Sequence, residues 1–152
     1  MRKIGRLATI VAVIAIMAGT LPGGPAAAGS GAHRDRHSML RATNGSRDRF
    51  NLGGVRINRR MSEIARQHSL KMAREQDLFH TSNPSQVYLK GIEWNYWGEN
   101  VGVTGGTVGD LERAFMASDP HRHNILSKAF RRVAIGAVRV NGALWVTVFF
   151  YG

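Results

Sequence analysis

Three short segments carry the side chains that could do chemistry: Phe79-His80-Thr81-Ser82, Gly98-Glu99-Asn100, and Ser118-Asp119-Pro120-His121-Arg122-His123-Asn124. Each sets a histidine or a glutamate just beyond an inferred helix or strand, where loops on a rigid scaffold build sites. His80, Glu99 and His121 are two imidazoles and a carboxylate. That set suits a divalent transition ion such as zinc, and three protein ligands would leave coordination positions open. The spacings alone do not specify a metal: no H-E-x-x-H is present, and His121-x-His123 alone is a weak metal signal. A serine nucleophile drawn from Ser82 or Ser118 with His121 lacks a nucleophile elbow.

Each residue also has a plainer reading. His80 could cap the end of a helix, where a cation is favoured by about 0.3–1 kcal/mol. Glu99 could accept hydrogen bonds from loop amides. His123 reads as solvent-facing, and His68, on an apolar helix stripe, reads as a satisfied core histidine. Arg122 and Asn124 read as residues that tie down their own loop. Trp94, Tyr96 and Trp97 fit packing against a sheet better than an aromatic rim around a ligand.

The elements that must position these residues follow from periodicity and turn chemistry. A helix is expected over residues 36–50, weakened by Asn44-Gly45, since glycine costs about 1 kcal/mol against alanine. Gly53-Gly54 marks a turn before a short extended piece, Val55-Arg56-Ile57. Asn58 can cap a second helix in which Met61, Ile64, Ala65, His68 and Met72 fall on one stripe, running to about Asp77. Residues 81–97 read as irregular, with Asn83-Pro84 opening a turn. A strand is expected over 98–103, and then a helix starting at Thr107 or Gly109 and ending before Pro120. Asn141-Gly142 between two apolar runs is a strong hairpin signal, because both central positions of a type I′ turn need positive φ. Helices followed by an antiparallel hairpin give an α+β architecture.

The chain has 152 residues, a formal net charge of +11 and no cysteine. Arg2, Lys3 and Arg6 precede an apolar run over 7–18, and Ala26-Ala27-Ala28 fits a signal-peptide cleavage site. Twelve residues make about 18 Å of helix, short of the roughly 30 Å of a hydrocarbon core, so residues 1–28 read as a cleaved signal peptide and not as a retained anchor. Residues 29–36 read as a disordered leader. Without disulfides, an exported domain of this length must hold itself by packing or a bound ion. Residues 29–75 carry a balance of +7 and residues 76–152 only +1. The basic half could face anionic envelope polymers, or form a solvated helical face. Nucleic acid is disfavoured, because the basic residues lack interleaved aromatics and no recognition motif is present.

In this order, the three segments resemble the CAP superfamily (cysteine-rich secretory, antigen 5 and pathogenesis-related 1 proteins), and in particular its cysteine-free bacterial branch. The helix over 62–72 followed by His80-Thr81 is similar to that family's second helix and His-Thr pair. Gly98-Glu99-Asn100 matches its G-E-N motif. Phe115-x-x-Ser118-x-x-His121-Arg122-x-Asn124-Ile125-Leu126 matches its bacterial W-x-x-S-x-x-H-R-x-N-I-L pattern. The resemblance covers residues 37–152. It implies a three-layer α–β–α sandwich with a central antiparallel sheet, and a cleft lined by two His and two Glu. Carried over, these are His80, Glu99 and His121, with Ser118 where the second Glu would stand, so that any metal site is more open. It further implies a secreted binder of a lipid, a peptide or a cell-envelope component; with the short apolar run and the basic half, the expectation is a secreted or cell-wall-associated monomer with no anchor after cleavage and a lipid, peptide or anionic envelope ligand. The alternatives are a metal-dependent hydrolase with Glu99 as base, and a basic protein held to the envelope by charge. Mature protein recovered from culture medium should begin at or close to Gly29 by N-terminal sequencing; full-length chain in the membrane pellet would overturn the signal-peptide reading.

Overall fold

The structure, a computed structural model, describes residues 28–152. The signal segment expected from the sequence lies outside them up to residue 27. The described chain runs α1 (Ala28–Asp48), β1 (Arg56–Ile57), α2 (Arg59–Glu75), α3 (Pro84–Tyr88), β2 (Trp97–Thr104), α4 (Val108–Ala117), α5 (Asp119–Leu126), β3 (Arg132–Val140) and β4 (Ala143–Tyr151). Among these, no helix is long and apolar enough to cross a membrane.

Helix α1 begins at Ala28, so the stretch expected as a disordered leader is helical. A long-range ion pair accounts for this physically: Arg139 on β3 donates to Asp35 at 2.9 Å and ties the early turns to the sheet. Asn44-Gly45 does not interrupt α1 either. The Asn44 amide, which could have competed with the helix backbone, donates to Val55 O (3.1 Å) and accepts from Val55 N–H (2.8 Å), joining α1 to the strand β1.

Helix α2 starts as expected, with the Asn58 side chain accepting from Met61 N–H. It lies directly on β3. A Cβ on Gly136 would sit 2.2 Å from the Ala65 carbonyl carbon, so only glycine allows this approach. Two segments differ from expectation. In the irregular stretch, Pro84 opens the short helix α3; beyond Ser118, Pro120 lies in the first turn of a new helix, α5. Proline in a first turn removes an N–H that has no intrahelical partner in any case, and its fixed φ suits the helix. Pro120 therefore ends one helix and starts the next, with Ser118 between them.

The sheet order is β1-β3-β4-β2. The three long strands are antiparallel, as expected, while the two-residue β1 pairs parallel with β3, so the sheet is mixed at one edge. Asn141 (φ 51°) and Gly142 (φ 79°) form the β3–β4 turn with both φ positive, as a type I′ turn requires. Alternation along the strands sorts the core into two layers. Val146, Val148 and Phe150 meet Leu111, Phe115 and Ile125 of α4 and α5. Phe149 and Tyr151 meet Met61 and Ala65 of α2, and Trp145 meets Met72. With helices on both faces, the fold is an α–β–α sandwich.

Asn141→Val should lower stability by about 1–3 kcal/mol, since a β-branched residue resists positive φ. A urea titration reads this as a lower midpoint with an unchanged slope.

Candidate functional site

The site is built on β2, because neighbouring residues of a strand point to opposite faces. Gly98 and Asn100 face α5. A Cβ on Gly98 would lie 2.4 Å from Asn124 Oδ1, so the glycine admits the asparagine. Asn124 Nδ2 donates to Asn100 Oδ1 (2.8 Å) and Glu99 O (3.3 Å), and Asn100 Nδ2 donates to His121 O (3.1 Å). The Gly-Glu-Asn segment therefore clamps α5 onto the edge strand.

Glu99 points to the other face and is buried. Its Oε2 accepts from Thr81 N–H and from His80 Nδ1, both at 2.9 Å, and its Oε1 accepts from the Thr81 hydroxyl at 2.6 Å. The loop after α2 thus folds around this carboxylate. A carboxylate can only accept, so Nδ1 of His80 carries a proton, and the ring's second nitrogen is Nε2. That Nε2 is buried and has no hydrogen-bond partner.

His68 was expected to be a satisfied core residue. Only one of its nitrogens is satisfied. Its Nδ1 lies 3.1 Å from Thr147 Oγ1, which lies 2.9 Å from Ser69 Oγ, and Ser69 donates to Ala65 O. His68 Nε2 is buried and has no hydrogen-bond partner. Burial holds the His68 pKa below its ordinary value, with nearby Glu99 partly offsetting this and His80 adding to it. His68 is thus a neutral imidazole within electrostatic reach of both. The signal for it was in the sequence: it shares a stripe with Met61, Ala65 and Met72, which all face the sheet.

The remaining candidates lie around α5. Buried His121 places Nδ1 2.9 Å from Ser118 Oγ and tilts against Phe115, with ring centroids 4.9 Å apart. Arg122 stacks over Phe50 at 5.0 Å, and His123 is exposed. Trp97 is buried against Phe149, Trp94 packs beside the same cluster, and Tyr96 is exposed. Among the described residues, no group of three or more His, Cys, Asp or Glu is placed to hold a metal ion. The atom of the cleft best able to meet an ion is His80 Nε2, since Glu99 already accepts three hydrogen bonds.

A three-layered helix–sheet–helix domain thus carries the Gly-Glu-Asn clamp and the His–Glu pair on its edge strand. Residues 40–150 match the CAP cysteine-rich secretory protein family, and the chain belongs to it. It is 27% identical over 117 residues to the protein YkwD of Bacillus subtilis, spanning 73% of this chain and 45% of that protein. Among solved structures, it is similar to an extracellular protein containing an SCP domain from Bacillus anthracis. There the TM-score is 0.72 and the identity 22%, over 87% of this chain and 45% of the other. It also shares its fold with an outer surface protein of Borrelia burgdorferi, with a TM-score of 0.69 and 16% identity over 78% of this chain and 92% of the other. This chain thus spans about half the length of the two Bacillus proteins.

Glu112, one turn before Phe115, lies away from the cleft. It is buried between α4 and α1, where Thr43 Oγ1 donates to its Oε2 at 3.3 Å and Oε1 has no partner. Burial raises its pKa, with hydrogen bonds from Ser46 and Thr43 partly offsetting the rise. Between the ordinary value of about 4.3 and the raised folded value, the folded state binds more protons than the unfolded one, so stability falls as pH rises. Glu112→Gln, which cannot ionise, should therefore melt above wild type at pH 7. The gap should close as pH falls toward about 4.3, measured by thermal unfolding across pH.

Proposed function

We propose that this protein is a secreted binding module whose cleft, between α2 and the edge strand β2, recognises a lipid, a peptide or a cell-envelope component through the ligand's hydrogen-bond donors. One observation carries the reading: His68 and His80 each anchor Nδ1 in the protein and leave a buried Nε2 without a hydrogen-bond partner, which in a neutral ring would accept from a ligand. A buried acceptor without a donor costs about 1–3 kcal/mol, which a ligand hydroxyl or amide would offset. Glu99 serves this cleft as a positioning group, because three donors already hold its two oxygens.

A second reading, a metal-dependent hydrolase, draws on the same two nitrogens, since neutral imidazole nitrogen is a good ligand for zinc. It requires His121 to join His80 around one ion, and a base other than the committed Glu99.

Imidazole nitrogen NMR separates the two. Monoolein, a soluble peptidoglycan fragment and a short peptide are titrated in turn, and one of them should shift the His68 and His80 signals in wild type but not in His80→Ala. Zinc is titrated in parallel by calorimetry into wild type, His80→Ala and His121→Ala. The binding module predicts no saturable zinc heat that depends on both histidines. Saturable heat lost in both variants, with none of the three organic probes moving an imidazole signal, would replace it with the hydrolase.

A further inference from the structure

A pocket of about 530 Å³ lies between the α1–β1 loop and the α5–β3 connection, and neither His68, His80 nor Glu99 lines it. Its wall carries Arg56, Lys128, Arg131 and Arg132, all exposed, and its lining holds no aspartate or glutamate. Arg47 joins them from below as a buried fifth cation. Its guanidinium donates to the main-chain carbonyls of Gly53 (2.8 Å), Ile125 (2.8 Å), Ser127 (2.9 Å) and Phe130 (3.3 Å). These bonds fasten both loops together and fix the pocket's shape. They satisfy the donors of Arg47 but leave its charge without a counter-charge. Among the described residues, none of the five cations forms an ion pair with a carboxylate.

Strand pairing adds to the concentration of charge. Arg56 and Arg132 are register partners across the parallel β1–β3 pair. Like charges set opposite each other in a sheet are destabilising. A neutral residue at either position would relieve that repulsion, and an anion seated between the two side chains would reverse it. Guanidinium groups are moreover suited to bidentate hydrogen bonding with phosphate oxygens.

From the convergence of these five cations in one acid-free concave site, we infer that the pocket binds a chain of consecutive phosphate groups. Its volume exceeds what one phosphate needs and falls in the range of small-molecule sites. A multiply charged chain also matches several cations better than a single anion does. Nucleic acid fits less well, because the aromatic ring in the lining, Phe130, is buried and offers no face on which a base could stack.

Two sources of this chemistry are available as probes: tripolyphosphate, for a free oligophosphate, and poly(glycerol phosphate), for a phosphodiester polymer. Each is titrated calorimetrically into the full chain, with inorganic phosphate as the single-phosphate reference. The double variant Arg56→Gln/Arg132→Gln is compared with Arg74→Gln/Lys90→Gln, which removes the same charge from exposed positions outside the pocket. At least one chain probe should bind saturably and more tightly than inorganic phosphate, and the tighter of the two identifies the source. Loss of the two register-paired arginines should weaken it by at least about tenfold, as expected for losing two charge-assisted contacts. The control pair should leave affinity within about twofold, since exposed charges beyond a Debye length are largely screened. Equal loss in both double variants would reduce the effect to overall charge and overturn the site, as would the absence of saturable binding to either chain. Failure here leaves the cleft reading untouched, because no variant in this experiment alters the cleft.

Discussion

A buried carboxylate is costly unless hydrogen bonds replace its water, and Glu99 is buried on the edge strand β2. Three donors meet it: the Thr81 amide, the Thr81 hydroxyl and His80 Nδ1. All three come from the loop that leaves α2, so solvating this one group fixes the path of that loop. It also fixes Nδ1 of His80 as the donor to Glu99. Removing the carboxylate would leave the Thr81 amide and His80 without their acceptor, at about 1–3 kcal/mol for each buried group. The cleft is thus as much a consequence of satisfying Glu99 as Glu99 is a component of the cleft.

The same strand shows why Gly-Glu-Asn has to be read as a unit. Alternation sends Glu99 toward α2 and its two neighbours toward α5, so three consecutive residues fasten helices on both sides of the sheet. Gly98 gives Asn124 room, and Asn100 holds Asn124 and the His121 carbonyl. One strand therefore connects the His80 loop and the His121 helix while presenting them from different faces.

Much of this was legible in the sequence, for reasons that can be stated residue by residue. The α2 stripe, its Asn58 cap and the Asn141-Gly142 turn are local signals, and local geometry decided them. The resemblance carried by His80, Gly98-Glu99-Asn100 and the Ser118–Leu126 segment led to the right family and to an α–β–α sandwich. What stayed hidden depended on distant partners. The early turns of α1 rest on Asp35 meeting Arg139, more than a hundred residues away, and the parallel edge strand rests on two residues finding β3. Pro120 signalled an ending but not the new beginning. His68 looked like core because its stripe is apolar, yet the strand it faces, β4, is the neighbour of the one that carries Glu99.

Ser118 brings a hydroxyl, and no charge, to His121. Three imidazoles here have Nδ1 at hydrogen-bond distance from an oxygen, and the oxygens differ: Glu99 for His80, Ser118 for His121, and Thr147 for His68. A carboxylate fixes a ring's orientation through a charged partner, whereas a hydroxyl orients it without that charge. One of the three therefore has a charged partner and two have neutral ones. For His68 the consequence is explicit, since burial already favours the neutral ring and Thr147 adds no charge to oppose it. Orientation is thus what the three rings share, each held through Nδ1 by an oxygen of a neighbouring side chain.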